Sequence, residues 1–543
     1  MFSLNNAAIF LTLQCYNLMK KNTRINVLIA LTYSATLIGG MFMGYKFLKD
    51  QGYQFHRPER FADNNAEKVD EIIHIINKKY VDDVNADSLY HLPIDSLLHR
   101  LDPHSVYLPP AKADKFSESM SGNFEGIGIE YYILKDTLLV TNVIKDGPAF
   151  SAGIRQGDKI LKIDTFFVSG KALPREKMIG KIKGKRGTPV KLTIMHPGSS
   201  EAVLLTVKRD RVKVSTIDAA YMLNDEVGYV RISKFGADTD KDFVGAINDL
   251  KTTGMKKLVL DLRDNGGGYL TAATGLANQI FKENKLIVYT EGKHEPRTDY
   301  IATGGGAFEN GKLAVLINEN SASASEILAG AVQDLNRGVI IGRRSFGKGL
   351  VQEQFPFGDG SALNLTIARY YTPSGRSIQK SYKNGYSAYQ DEIDNRFDDG
   401  ELTTKRNPGP DSVKRKAFIG GGIQPDIYVK MDTTGYNKLY TTLASKKILF
   451  DFVYDVLAAR YSHGYIEEHL NTFSISDADY KDFLKYAQDR EVALDQKQLA
   501  AAKPIILHDI KVLLCRYHLG DAGYYKALNL SDAMVRQALN SLQ

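Results

Sequence analysis

The chain has 543 residues, 43% of them hydrophobic, which is enough apolar material for more than one core and, by length, for three or four domains. Its formal charge of +7 is the small difference between 70 basic and 63 acidic residues, too even a balance to make nucleic acid the expected partner. Two cysteines, Cys15 and Cys515, exclude a disulfide framework and a thiolate metal site.

Residues 27–45, VLIALTYSATLIGGMFMGY, form an uncharged, mostly apolar run preceded by Lys20, Lys21 and Arg24. The run is long enough to span a bilayer, longer than a signal-peptide core of roughly 7–15 residues, and is followed by no small-residue cleavage site. Its basic flank keeps the N-terminus in the cytoplasm. The expectation is an uncleaved single-pass anchor, with everything after Lys46 exported.

Beyond a polar linker at 51–65, Val69, Ile72, Ile73, Ile76 and Tyr80 recur at helical spacing, which predicts a helix with His74 packed among its isoleucines. A second short helix follows over 94–101. In Leu101-Asp102-Pro103-His104-Ser105 the Asp and His invite a catalytic reading, but Pro and Ser make a capped turn the better one.

Residues 124–209 read as a small unit of short strands at 127–133, 138–144, 159–163, 190–195 and 203–208, with a helix near 176–182. Two features stand out. The run GIGI, Gly126, Ile127, Gly128 and Ile129, can aim successive backbone N–H groups into one concavity able to hold a carboxylate. The run GPAFSAGIRQGDKI at 147–160 resembles the turn-helix-turn-strand run of PDZ domains, which add a peptide's C-terminal strand to a sheet edge.

Strand, helix and strand over 227–232, 239–252 and 257–262 lead into Asp261–Gly268 (DLRDNGGG). Three glycines at a strand's C-terminal end leave backbone N–H groups free to face a developing negative charge. A helix over 272–281 follows. The stretch 313–352, LAVLINENSASASEILAGAVQDLNRGVIIGRRSFGKGLVQ, then predicts a buried strand at 313–317, an amphipathic helix over 321–336 and a second buried strand at 339–341. Such a βαβ unit requires parallel strands. The serine cluster and Lys348 must then share one edge of the sheet, where open α/β sheets keep their sites.

Gly342–Lys348 fits the phosphate-loop spacing GxxxxGK, but Gly349 stands where that loop needs Ser or Thr, and a strand follows where it needs a helix. A serine–lysine dyad suits the residues better. A lysine serves as a base only when neutral, and moving its pKa from about 10.4 to about 7 corresponds to roughly 4–5 kcal/mol, which demands burial away from carboxylates. Phe346, Leu350 and the flanking glycines promise such a setting without adjacent acids, and Gln352 falls on the same face. Strands at 352–355 and 362–371 come next. Residues 381–416 are polar and read as a mobile surface insertion, 420–429 returns to a strand, and the chain is helical from about 439.

The segments SASASEILAGAVQD, SFGKGLVQ, DLRDNGGG, LDPHSVYL and YYTPSGRSIQ, with the PDZ-like run, together resemble the carboxyl-terminal processing proteases, also called tail-specific proteases, over roughly residues 65–430. The resemblance implies an α/β fold: a crotonase-like serine protease core with an inserted PDZ domain, here joined by an N-terminal transmembrane helix and a helical C-terminal region. The expected division is 1–50 cytoplasmic N-terminus and anchor, 51–118 linker and helices, 119–210 PDZ domain, 211–435 catalytic core with the insertion 381–416, and 436–543 helical region. By the same resemblance Ser323 is the nucleophile, Lys348 the general base and Gln352 its support. The oxyanion donors are the backbone of Ala324 and of Gly268, with Gly267 next, and Gly126 to Ile129 take the peptide carboxylate. Asp264 and Gly266 depart from the family's usual asparagine and proline. The activity implied is cleavage of exported proteins from their C-terminal tails, without cofactor or metal, at the inner (cytoplasmic) membrane with the catalytic part in the periplasm or otherwise outside the cytoplasm. An adaptor and an oligomer remain open, and the alternative is an inactive PDZ scaffold or chaperone.

Overall fold

The computed structural model of the chain describes residues 64–79, 86–134, 137–168, 175–404 and 421–543, with five isolated positions between 32 and 43. The expected span at 27–45 thus lies, apart from those five positions, outside the described residues, as do residues 51–63 of the expected linker at 51–65, whose last two positions instead open a helix, and the end of the insertion. Among the described residues no helix is long and apolar enough to cross a membrane.

The chain divides into residues up to Leu92 and residues from Pro93 onward. In the first part, the helix Asn64–Lys79 buries Ile73, but Val69 and Ile72 are exposed and so is His74, contrary to the packed position expected for it. The apolar spacing does form a helix, with Ile73 buried and Ile76 half-buried.

In the second part, a six-stranded sheet carries the chemistry. Its order is β1 (Ile217–Met222), β2 (Val227–Ile232), β3 (Lys257–Asp261), β4 (Leu313–Ile317), β5 (Val339–Gly342) and a last strand, Ile427–Tyr428. Only β1 runs antiparallel to its neighbour; β2 to β5 and the last strand are parallel. Every residue of β4 is buried, as a strand covered on both faces requires. The helices α1 (Thr239–Thr252), α2 (Leu270–Asn278) and α3 (Ala324–Asp334) join the strands, and their apolar residues build one core with Val315, Ile317 and Leu260. The opposite face, through Tyr229, Ala314, Leu316 and Ile341, is closed by the final helix Ala533–Ser541. A second sheet holds Leu350–Pro356 paired with Ala362–Tyr371, and Val106–Leu108 pairs with the latter's other edge.

The PDZ-like unit forms its own core around Ile127, Val140, Ile160, Val190 and Leu192. Its sheet begins with Ile129–Leu134 as terminal strand. Leu134 and Leu139 of this unit share a second core with the C-terminal helices, whose longest, Gln496–Asn529, is interrupted at Gly520.

The insertion departs from expectation. Its described part folds into two short helices, Tyr386–Gln390 and Glu392–Asp398, with Tyr389 only 2% and Arg396 3% exposed. Polar as it is, the segment is tied to the core by charge: Arg344 pairs with Glu392 (2.9 Å) and Glu401 (2.7 Å), and Arg396 with Glu401 (3.1 Å). Ion pairs from nearly buried arginines hold this segment together with the buried Tyr389 and Leu402.

Candidate active site

The parallel pairing of β3, β4 and β5 brings three loop starts to one sheet edge. DLRDNGGG leaves β3, the serines leave β4, and the loop to Lys348 leaves β5. Ser323 stands at the N-cap of α3 with φ 55° and ψ −113°, a conformation that non-glycine residues rarely hold without surrounding support. That support is hydrogen-bonded. Glu326 reaches back to the Ser323 amide at 2.8 Å, as in a capping box. Ser321 Oγ donates to the Leu262 carbonyl at 2.8 Å and Ser325 Oγ to the Asn265 carbonyl at 2.9 Å. The flanking serines therefore bolt the Ser323 turn to the glycine loop.

Ser323, Ala324, Gly267, Gly268, Lys348 and Gln352 all line one cavity of about 430 Å³, with Phe116, Met120, Ile327 and Leu350 on its apolar side. The glycine loop approaches Ser323 so closely that a Cβ on Gly267 (φ 101°) would lie 2.7 Å from Ser323 Cβ. The Gly267 amide donates to Asn265 Oδ1 at 2.9 Å, so it is committed within its own loop. The amides of Gly268 and Ala324 have no acceptor among the described residues.

Lys348 Nζ donates to Gln352 Oε1 at 2.8 Å; no hydrogen bond joins it to the Ser323 hydroxyl among the described residues. Burial lowers the lysine's pKa, against the opposing charges of Asp102 and Glu326. The neighbourhood is thus not free of acids, as the sequence suggested. Glu326, fully buried, accepts from Ser345 Oγ and from the amides of Gly347 (2.7 Å) and Lys348 (2.8 Å) as well as Ser323. One carboxylate therefore ties the serine turn to the lysine loop. Burial pushes it up to about 7, against the hydrogen bonds that favour its charged form. The Tyr370 hydroxyl makes a second tie, lying between the carbonyl oxygens of Ser323 (3.0 Å) and Lys348.

Three contributors were missed in the sequence. Glu326 had a signal, the Ser-x-x-Glu spacing from Ser323. Tyr370, forty-seven positions from Ser323, opens the family-like segment YYTPSGRSIQ, but no spacing tied it to Ser323. The Asp102–Ser105 turn is capped, as expected: Asp102 accepts from the amides of His104 (2.7 Å) and Ser105 (2.8 Å). It also has a part in the site, because the His104 carbonyl accepts from Gln352 Nε2.

None of Gly126, Ile127, Gly128 and Ile129 lines the Ser323 cavity. Gly126 pairs with Asp210, Ile127 is fully buried, Gly128 has φ 80°, and Ile129 opens the terminal strand of the PDZ sheet.

Comparison with known proteins agrees with this arrangement. Residues 226–385 match peptidase family S41, residues 126–211 match the PDZ domain, and residues 439–520 match a family of unknown function. A carboxy-terminal-processing protease of Bartonella bacilliformis is 37% identical over 313 residues, which cover 57% of this chain and 71% of that protein. A Staphylococcus aureus (strain MRSA252) protein named "Probable CtpA-like serine protease" is 36% identical over 318 residues, 58% of this chain but only 62% of that protein. Among solved structures, the photosystem II D1 C-terminal processing protease is 27% identical, covering 66% of this chain and 86% of its own, with a TM-score of 0.34. The PDZ domain of a Vibrio cholerae carboxy-terminal protease, solved in complex with peptide, is 26% identical over 17% of this chain and 99% of its own, with a TM-score of 0.16. Both superpositions are too loose to add to the case, which rests on the sequence relatives and the matched domains: the chain belongs to the carboxyl-terminal processing proteases of peptidase family S41 and carries a PDZ domain.

Proposed function

We propose that the chain is a serine endopeptidase that takes exported proteins by their C-terminal tails and cleaves them with a Ser323–Lys348 dyad. One observation carries the reading: a serine on a strained turn, a half-buried lysine of lowered basicity and two uncommitted amides converge on a single cavity. That is the equipment of acyl transfer.

Neutral Lys348 takes the Ser323 proton as Oγ attacks the scissile carbonyl, which requires the amine to turn from Gln352 toward the serine. The oxyanion gathers on the amides of Ala324 and Gly268; Gly267, committed to Asn265, is the weaker candidate of the two glycines. As the C–N bond breaks, the lysine returns the proton to the leaving amine. Water, deprotonated by the same lysine, then releases the acyl group from Ser323. Gln352 holds the lysine between these transfers. Phe116, Met120 and Leu350 favour an apolar side chain beside the scissile bond.

In the same reading, Gly126 to Ile129 receive the tail's carboxylate while its last residues pair with Ile129–Leu134. The core is crotonase-like, residues 27–45 anchor the chain in the cytoplasmic membrane, and the catalytic part lies outside the cytoplasm, with adaptor and oligomer unassigned. The test uses the full chain in detergent and an unstructured substrate with an apolar C-terminus. The unsubstituted protein should degrade it, while Ser323→Ala should bind it and leave it intact. Turnover by Ser323→Ala at the unsubstituted rate would refute the dyad.

A further inference from the structure

A glutamine amide has an acceptor at one end and donors at the other, and its two orientations have nearly the same shape. Gln352 serves Lys348 only with Oε1 toward the amine. Its other end decides this: Nε2 donates to the His104 carbonyl, and a carbonyl can only accept. A flipped amide would set oxygen against oxygen there and NH₂ against the amine. The place of one backbone carbonyl therefore fixes the support of the base.

That carbonyl belongs to a turn held at two points. Asp102 caps it from within and accepts from Ser105 Oγ at 2.6 Å. From outside, His104 Nε2 lies 2.7 Å from the Tyr389 hydroxyl, with the two rings edge-on at 87°. The imidazole is neutral: burial first, then the charges of Lys348 and Lys380, lower its pKa to about 3, with Asp102 opposing. Tyr389 is itself fastened. Lys380 Nζ donates to its carbonyl at 3.1 Å and stands 4.1 Å from both the Tyr389 and Phe346 rings. Arg396 donates to the carbonyls of Arg344 (2.6 Å) and Ser345 (3.3 Å). The inserted segment thus braces the loop that carries Lys348 and, through Tyr389, the turn that orients Gln352. Tyr389 lies beyond the S41 match, which ends at residue 385, and His104 lies before both the PDZ and S41 matches.

We propose that Tyr389 and His104 are positioning residues for the general base: Tyr389 holds the His104 ring, the His104 carbonyl fixes the Gln352 amide, and Gln352 sets Lys348. This rests on the protease reading above. Neither side chain touches the reacting atoms, so their loss should appear in turnover and not in substrate capture.

The test is a double-mutant cycle on the full chain in detergent, with a quenched-fluorescence peptide ending in an apolar residue. Tyr389→Phe removes one oxygen and should lower kcat about tenfold, leaving KM within about twofold. In a Gln352→Ala background the same substitution should cost less than about twofold, because the link it acts through is already gone. His104→Ala keeps the carbonyl but removes the ring that Tyr389 holds and should follow the same pattern, which keeps the comparison available where Tyr389→Phe lowers Tm. An unchanged kcat, a change confined to KM, or equal losses in both backgrounds would overturn the proposal. An inactive unsubstituted chain would refute the protease reading itself, and this proposal with it.

Discussion

The Ser323 turn and the Lys348 loop are held in different ways. Ser323 is fixed by neighbours in its own βαβ unit and by the adjacent strand end: Ser321 on Leu262, Ser325 on Asn265, and Glu326 on the Ser323 amide. Lys348 depends on segments far along the chain. Its partner Gln352 is held by His104, 248 positions away, the Gly349 amide donates to Gln379 Oε1 at 2.8 Å, and the preceding residues are clasped by Arg396. A hydroxyl needs only to be presented at one point. A lysine has a long flexible stem, so its amine stays in place only when other parts of the fold hold it. Glu326 is the joint between the two regions.

The largest effect should come from breaking either region at its centre. Ser323→Ala and Lys348→Ala should each lower kcat by ~10⁴-fold or more with little change in Tm, since the two act as one unit; steady-state peptidase assays and thermal unfolding check both. Breaking the joint comes next. Glu326→Gln keeps the shape but turns an NH₂ group toward amide donors, leaving buried donors unsatisfied, and should cost about 2–3 kcal/mol of stability along with most activity. Urea titration with an activity readout measures it. Gly267→Ala attacks the seam between the glycine loop and Ser323. With φ 101° and contacts of 2.7 Å to Ser323 Cβ and 2.8 Å to the Ala322 carbonyl, it should destabilise by about 2–4 kcal/mol.

A smaller effect separates the two regions by pH. As the proposed base, Lys348 would work only when neutral, so activity should rise with pH through its lowered pKa. Glu326, pushed up to about 7, loses its carboxylate as pH falls below that value. Both losses lie on the acid side, so log kcat should fall there with a slope approaching two, and in Glu326→Gln the residual activity should fall with a slope near one. The smallest effect has the opposite sign. Lys348→Met replaces a half-buried, desolvated amine with an apolar chain of similar length and should raise stability by about 1 kcal/mol, read as a small increase in Tm, while abolishing turnover.

The same contrast explains what the sequence disclosed. The serine turn, the glycine loop and their shared sheet edge follow from local periodicity and the parallel βαβ rule, and β3, β4 and β5 pair accordingly. Of the three serines, spacing alone could not choose Ser323; the family resemblance named it, and the structure gives it the positive φ. What escaped was non-local. Tyr370 lies on a strand with no pattern pointing to Ser323. The insertion looked solvated because its order comes from Arg344, Lys380 and Arg396 finding Glu392 and Glu401 across sequence, a pairing that composition cannot reveal. The expectation of no acids near Lys348 failed for the same reason: Glu326 is on the neighbouring element, and only folding brings it under the loop.

The central claim is that one serine, activated by one lysine, performs the chemistry. A fluorophosphonate probe reacts with an activated serine hydroxyl, and mass spectrometry of the digested full chain locates the adduct. A single adduct is expected, on Ser323, formed far more slowly in Lys348→Ala. Labelling of Ser321 or Ser325 instead, or an undiminished rate without the lysine, would contradict it.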